Sequence, residues 1–272
     1  MINVDVLGRM GNQMFQYAFA LNTAEKLKTN FFIIPTEKFE LTKYFKLDFS
    51  TRLCYNKLAF YLYKIIALRI YKEKYILQIN HTTVELKNNF RYKGFFQSEN
   101  YFTESKNKIK KNFILKKKWT DKFTKEYKNL LENKYIVMHF RRTDYQTYGY
   151  ESIGGENMCL PMKYYDNCLN LIENLNEYII VCVSDDIKFV KEYYKDRPNY
   201  QFYNNEQIID FQLILKANIA ILANSSFSWW AGYLNETSNK IIYTPKYWLG
   251  FKINKEFPVN ITNKEFTPVN VN

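Results

Sequence analysis

Arg141 and Arg142 stand side by side behind the apolar run Tyr135–Phe140, and Asp144 follows two residues later. Two adjacent guanidiniums at a strand end are costly to bury unpaired, and each presents a planar fork that grips a phosphate bidentately. The competing reading is a pair of structural salt bridges, with Asp144 as the nearest acid. A second chemical cluster is Asn224-Ser225-Ser226-Phe227-Ser228, ahead of the apolar Trp229-Trp230. Hydroxyls and backbone N–H groups at a helix start can hold an anion, or simply cap the helix. A third, Ser184-Asp185-Asp186, follows another apolar run. Each signal is weak alone. Arginines and a Ser-rich helix start at the same sheet edge would suit a diphosphate. No Gly-x-Gly-x-x-Gly turn after a strand and no Walker A loop occurs, so neither a typical dehydrogenase nor a P-loop NTPase is expected.

The elements that would position these groups alternate along the chain. Residues 2–7 read as a strand, Gly8-Arg9-Met10-Gly11 as a break, residues 13–28 as a helix and 31–34 as the next strand. The second half reads as strands at 135–140, 178–183, 201–203, 219–223 and 240–244. The helices between them are expected at 161–175, from 186 to about 195, at Gln207–Lys216 and at 226–235, with Pro161 opening the first. This is the pattern of parallel sheets flanked by helices, where ligands bind at the carboxyl ends of strands. Residues 57–79 read as a helix interrupted by Lys64, Arg69, Lys72 and Lys74, either an ordinary core helix or a basic amphipathic one at a membrane surface. The lysine run 106–118 reads as solvated surface.

Composition narrows the class. The chain has 272 residues, 47% of them hydrophobic, with 22 Phe and 24 Tyr, so it can bury a core without disulfides or structural metal. Two His and four Cys, none in Cys-x-x-Cys spacing, argue against a zinc ribbon or a redox pair. The net charge of +12 suits an anionic partner but equally a Lys/Asn-rich compositional bias. The opening residues carry no secretory-signal pattern and no run reaches membrane-spanning length, so a cytoplasmic protein is expected, with peripheral contact at the inner membrane face as a further option.

Four blocks together resemble a known family. Gly8-Arg9-Met10-Gly11-Asn12-Gln13-Met14-Phe15-Gln16 resembles the opening motif of the α-1,2-fucosyltransferases, glycosyltransferase family 11. His139-Phe140-Arg141-Arg142-Thr143-Asp144 is similar to their His-x-Arg-Arg-x-Asp motif, with Thr where Gly is usual. Val183-Ser184-Asp185-Asp186 resembles their Ser-Asp-Asp segment. Ala223-Asn224-Ser225-Ser226-Phe227-Ser228-Trp229-Trp230-Ala231-Gly232 is similar to their third motif, with Ala231-Gly232 inverting the common order. The blocks occur in family order from the first residues to about Asn235.

The resemblance implies an α/β GT-B fold of two facing Rossmann-like domains. These would be an acceptor-side domain at 1–130, a GDP-sugar domain at 131–250 and a tail at 251–272. It implies inverting transfer of L-fucose from GDP-β-L-fucose to a sugar hydroxyl, galactose O2 by analogy, on an oligosaccharide, surface-polysaccharide or lipid-linked precursor. No metal or other cofactor is implied. Arg141 matches the arginine that neutralises the donor's β-phosphate, with Arg142 beside it and His139 against the nucleotide. Ser225, Ser226 and Phe227 match donor contacts, and Asp185 and Asp186 a structural or nucleotide-side role. Asp210 matches an acid that reads the guanine edge; its plainer reading is an acid in a helix's first turn. Asn12 and Gln13 would reach the fucose. The acceptor's proton would go to Asp144, Glu151, Glu156 or a base from the first domain, and spacing does not choose among them. Residues 36–130 match no motif. Two rivals remain: a transferase of the same architecture with another linkage or GDP-sugar, and a basic nucleic-acid-binding protein, against which stands the absence of any RNA-binding signature.

Overall fold

The computed structural model describes residues 1–35, 38–48, 69, 72–75 and 85–271. The chain divides into two units, one of Met1–Lys116 with Pro258–Asn260, the other of Lys117–Phe257 with Ile261–Asn272.

The first unit is built on strand β1 (Ile2–Val6), helix α1 (Met10–Lys26) and strand β2 (Phe31–Pro35). A short helix α2 (Leu41–Tyr44) follows, then β3 (Lys72–Tyr75), β4 (Phe90–Lys93) and helix α3 (Lys106–Asn112). The four strands are all parallel, in the order β2-β1-β4-β3. Between Met10 and Ala24, α1 carries no charged residue, and all but Asn12 are buried there. A helix that is uncharged and buried all round belongs inside a fold, its few polar side chains bonded internally. Within the expected helix 57–79, β3 is a strand. Its Lys-Glu-Lys-Tyr residues pair in parallel with β4 over Lys72↔Phe90 to Tyr75↔Lys93 at the sheet edge, where a charged strand is tolerated. The rest of that stretch lies outside the described residues, apart from Arg69, which is helical and exposed.

The second unit opens with helices α4 (Lys117–Glu126) and α5 (Lys128–Leu131) and strand β5 (Tyr135–Phe140). A two-residue hairpin, β6 (Gly149–Tyr150) and β7 (Gly155–Glu156), precedes helix α6 (Met162–Asn170). Then come β8 (Ile179–Ser184), α7 (Ile187–Tyr193), β9 (Tyr200–Tyr203), α8 (Gln207–Lys216), β10 (Ile219–Ile221), α9 (Ser226–Tyr233), β11 (Ile241–Pro245) and β12 (Thr267–Val269). The six long strands are parallel, in the order β12-β11-β10-β5-β8-β9. All six residues of β5 are buried, as expected for a central strand covered on both faces. Residues 117–130 lie in this unit, where the carbonyl of Trp119 on α4 accepts from Gln212 Nε2 on α8. The chain's final residues add β12 at the sheet edge, where Pro268 is tolerated. The helix expected at 161–175 stops at Asn170, and the next residue, Leu171, is exposed.

Both units are therefore parallel sheets flanked by helices, the α/β class expected from the alternation. In the second sheet the chain runs outward from β5 to β8 and β9, then returns to β5's other side as β10. That reversal creates a topological switch point between the carboxyl ends of β5 and β10, the crevice where such sheets bind ligands.

Candidate active site

The loops leaving β5 and β10 carry the arginines and the Ser-rich helix start, so the switch point gathers both clusters. Tyr145 joins them: its hydroxyl donates to the carbonyl of Asn224 at 3.0 Å. The ring of His139 lies 5.5 Å from that of Phe227, and Phe227 packs edge-on against Phe211, also at 5.5 Å. Behind the sheet edge, Tyr165 donates to the His139 carbonyl and Tyr164 to the Leu222 carbonyl, each at 3.0 Å. Buried tyrosines thus anchor both strand ends through their only polar atom.

Arg141 is held by two acids. Its Nη2 donates to Asp144 Oδ2 at 2.6 Å and its Nη1 lies 2.8 Å from Asp185 Oδ2. Its guanidinium sits 5.6 Å from the centre of the Tyr145 ring. Arg142 stacks at 3.4 Å over Phe189, and its Nε reaches Asp186 at 3.3 Å. Asp185 is the organiser of this turn. It accepts from the Arg142 backbone N–H at 2.9 Å and the Thr143 hydroxyl at 2.7 Å, besides Arg141. Burial opposes its ionisation, but the Thr143 hydroxyl, the Arg141 charge and the Arg142 N–H together hold its carboxyl below the usual range. Thr143 therefore has a defined task here. Asp186 and Asp185 brace the arginine loop, and among the described residues no cluster of three or more His, Cys, Asp or Glu side chains is placed to hold a metal ion.

The salt-bridge reading and the phosphate reading of the arginines are compatible. Asp144 is about half exposed while Arg141 is only 16% exposed, so a stronger anion can displace the acid from the fork while Asp185 keeps the arginine in place. His139 is buried, and its Nδ1 has no hydrogen-bond partner. Burial and then the Arg141 charge push its pKa down to about 3, so the imidazole is neutral beside the cation.

Asp210 lies in the first turn of α8, next in the chain to Phe211. It accepts from Asn205 Nδ2 at 2.9 Å, and that same amide reaches the Tyr127 hydroxyl at 2.8 Å. Burial pushes the Asp210 carboxyl up to about 7 against the pull of Asn205. At the start of α9, Ser225 is the capping residue but makes no side-chain cap, and Ser228 bonds back to the carbonyls of Ala223 and Ser225 at 3.1 Å. The buried Asn224 donates to Met158 O, and its Oδ1 has no partner. Glu151 and Glu156 are exposed on the β6–β7 hairpin.

In the first unit, Gly8 turns at φ +75°, where a Cβ would meet Asn12 Nδ2 at 2.7 Å. Gln13 is 1% exposed. Its amide donates to the carbonyls of Gly8 and Lys38 and accepts from Glu40 N, all within 2.9 Å. It shapes the glycine loop rather than offering a free polar head to a sugar. Gln16 likewise bridges Leu7 N and Gly94 O. Asn12 accepts from Gln97 at 2.8 Å. The residues that sequence reasoning passed over are Tyr145, Asn205 and the Tyr164–Tyr165 pair. Tyr145 was signalled only by its place directly after the Asp144 motif.

Comparison with known proteins agrees with this architecture. The profile of glycosyl transferase family 11 matches residues 1–255. The O-antigen biosynthesis glycosyltransferase WbnK of Escherichia coli is 27% identical over 282 residues, covering 89% of this chain and 92% of that one. An alpha-1,2-colitosyltransferase of Escherichia coli is 27% identical over 266 residues, covering 89% and 90%. A solved structure of the NodZ alpha-1,6-fucosyltransferase, soaked with GDP-fucose, superposes with a TM-score of 0.55 at 11% identity over 88% of this chain and 96% of that one. With a two-sheet parallel α/β fold, a basic switch-point loop and a profile match over most of its length, the chain belongs to glycosyl transferase family 11.

Proposed function

We propose that this glycosyltransferase moves L-fucose from GDP-β-L-fucose to a galactoside hydroxyl, O2 by family analogy, on an oligosaccharide or O-antigen-type precursor. The observation that carries the reading is the switch point, which puts Arg141 and the N-terminus of α9 at one sheet edge. The diphosphate would lie between them. As the sugar–phosphate bond breaks, charge grows on the leaving GDP, and a preorganised guanidinium and helix N-terminus stabilise it without reorganisation. In this role they do the work that a metal ion does in other transferases.

Asp210 supplies the base recognition in this reading. An ionised carboxylate accepts from both N1–H and N2–H of guanine, and adenine offers no such pair. The neutral His139 and the Phe227 ring would form an uncharged wall against the nucleotide. Asp144, once displaced from Arg141 by phosphate, is the motif carboxylate left to take the acceptor's proton; Glu151 and Glu156 on the hairpin are its alternatives. The colitosyltransferase relative supports a second donor reading, a GDP-linked deoxyhexose other than fucose. Among the described residues no helix is long and apolar enough to cross a membrane, so a lipid-linked acceptor would be met at a surface.

The test is a donor screen in EDTA with lactose as trial acceptor and GDP-fucose, GDP-colitose, GDP-mannose or UDP-galactose as donor. Product formation with GDP-fucose, and a 1→2 linkage by NMR, is the expected result. Turnover only with GDP-colitose moves the donor to the second reading, and dependence on added metal removes the role given to Arg141.

A further inference from the structure

The hairpin after the arginine loop carries a row of aromatic rings that the donor reading leaves unused. Tyr145 lies under Arg141, and Tyr148 stacks on Tyr145 with centroids 5.5 Å apart and planes 24° apart. Tyr150 follows two residues later, edge-on to Phe257 at 6.0 Å. Tyr148 and Tyr150 are each 42% exposed, among the most exposed large aromatics of the described chain. Neither is a random surface ring, because the hairpin that carries them is tightly built. Gly149 adopts φ +140°, and a Cβ there would meet the carbonyl oxygen of Gly155 at 2.2 Å. Gly154 adopts φ +97°, and a Cβ there would meet the Lys252 side chain at 2.7 Å. Lys252 Nζ also donates to the Glu156 carbonyl. At the hairpin's other end, Met158 N donates to Tyr145 O at 2.8 Å. The rings are thus held on fixed backbone, with two exposed carboxylates, Glu151 and Glu156, beside them.

We propose that Tyr148 and Tyr150 are the acceptor platform, stacking on the apolar C–H face of a pyranose. This rests on the donor reading given above. A pyranose has one face of C–H groups and a rim of hydroxyls. Tyr offers a flat apolar ring with a polar edge, and nearby carboxylates accept from the rim. Tyr145 and Tyr148 lead away from Arg141, where the sugar–phosphate bond would break, so an acceptor stacked on Tyr148 lies one ring beyond the arginine's own aromatic neighbour. A nucleobase is the other flat partner, but Asp210 already supplies the guanine acceptor, on an element that follows β9 rather than β5.

The test uses the full chain and the variants Tyr148→Ala, Tyr150→Ala, their double, and Tyr148→Phe. Four quantities are read: the lactose KM, the GDP dissociation constant, acceptor-independent hydrolysis of GDP-fucose, and the melting temperature. Each alanine is expected to raise the lactose KM about three- to tenfold, the double more, and Tyr148→Phe much less, because the stacking face is kept. GDP binding and donor hydrolysis are expected to stay within twofold of wild type. A folded double variant whose lactose KM is within twofold of wild type overturns the platform while leaving the donor reading intact. If GDP-fucose neither binds nor is hydrolysed, the donor reading falls instead. The platform is then judged by saturation-transfer NMR with methyl β-galactoside, whose signal the double variant must abolish; no signal with wild type overturns it.

Discussion

Asp210→Asn is expected to stabilise the protein and weaken GDP binding at the same time. Burial raises this carboxyl from 3.8 to about 7, against the hydrogen bond from Asn205. The sign follows from proton counting. Between about pH 4 and 7 the folded chain holds a proton that the unfolded chain has released, so the folded state loses stability as pH rises through that window. Roughly three units at about 1.4 kcal/mol each set a ceiling of about 4 kcal/mol, fully developed above pH 7. Asparagine carries no charge and can still present an oxygen to Asn205. Urea melts of wild type and variant are expected to coincide near pH 4 and to separate by about 1–4 kcal/mol at pH 8, the variant being the more stable. Calorimetry with GDP is expected to show the opposite order at pH 8, with at least about a tenfold loss in the variant, because an amide cannot accept from both guanine donors. Wild-type affinity for GDP should also improve from pH 6 to pH 8, as binding selects the carboxylate. Parallel pH profiles of stability would refute the buried-acid argument, and equal GDP affinity would remove guanine from Asp210.

Arg141→Ala is expected to lower kcat by about 10²–10³ or more, since it removes charge that matters most as the phosphate leaves. Its melting temperature should fall by only a few degrees, because one lost partner is half exposed and Asp185 keeps Thr143 and the Arg142 N–H; turnover within tenfold of wild type in a folded variant would exclude the phosphate role. Arg91 grips the buried Asp5 through two contacts of 2.7 Å in the first sheet. Arg91→Leu should therefore cost about 3–5 kcal/mol in urea melts, with much of it recovered by adding Asp5→Leu. Gly149→Ala is expected to cost about 1–3 kcal/mol from strain at φ +140° and to raise the acceptor KM, read by melts and steady-state kinetics.

The strands of the second unit were legible because central parallel strands are near-continuous apolar runs; Tyr135–Phe140 and Ile179–Ser184 lie within a residue of where periodicity puts them. That the loops after β5 and β10 leave one sheet edge was foreseeable from strand ends alone. The reason they meet was not, because it depends on strand order: β10 returns beside β5 only through long-range pairing. Lys72–Tyr75 was misread as helix for a related cause. Its four residues have no apolar face of their own and become a strand only beside Phe90–Lys93. Gln13 shows the limit of a motif. Its place in the opening block suggests a ligand contact, whereas its amide is consumed by Gly8, Lys38 and Glu40, which only folding brings together. Tyr148 and Tyr150 carried no signal at all, since their exposure depends on a hairpin of two-residue strands.

Hydrogen exchange of the full chain with and without GDP tests most directly whether the switch point is the nucleotide site. Protection is expected in peptides spanning 139–146 and 222–230, with a smaller change over 204–212 around Asp210, and none at the far edge strand Thr267–Val269. Protection confined to other segments, or no change at saturating GDP, would contradict the assignment of the diphosphate to Arg141 and the start of α9.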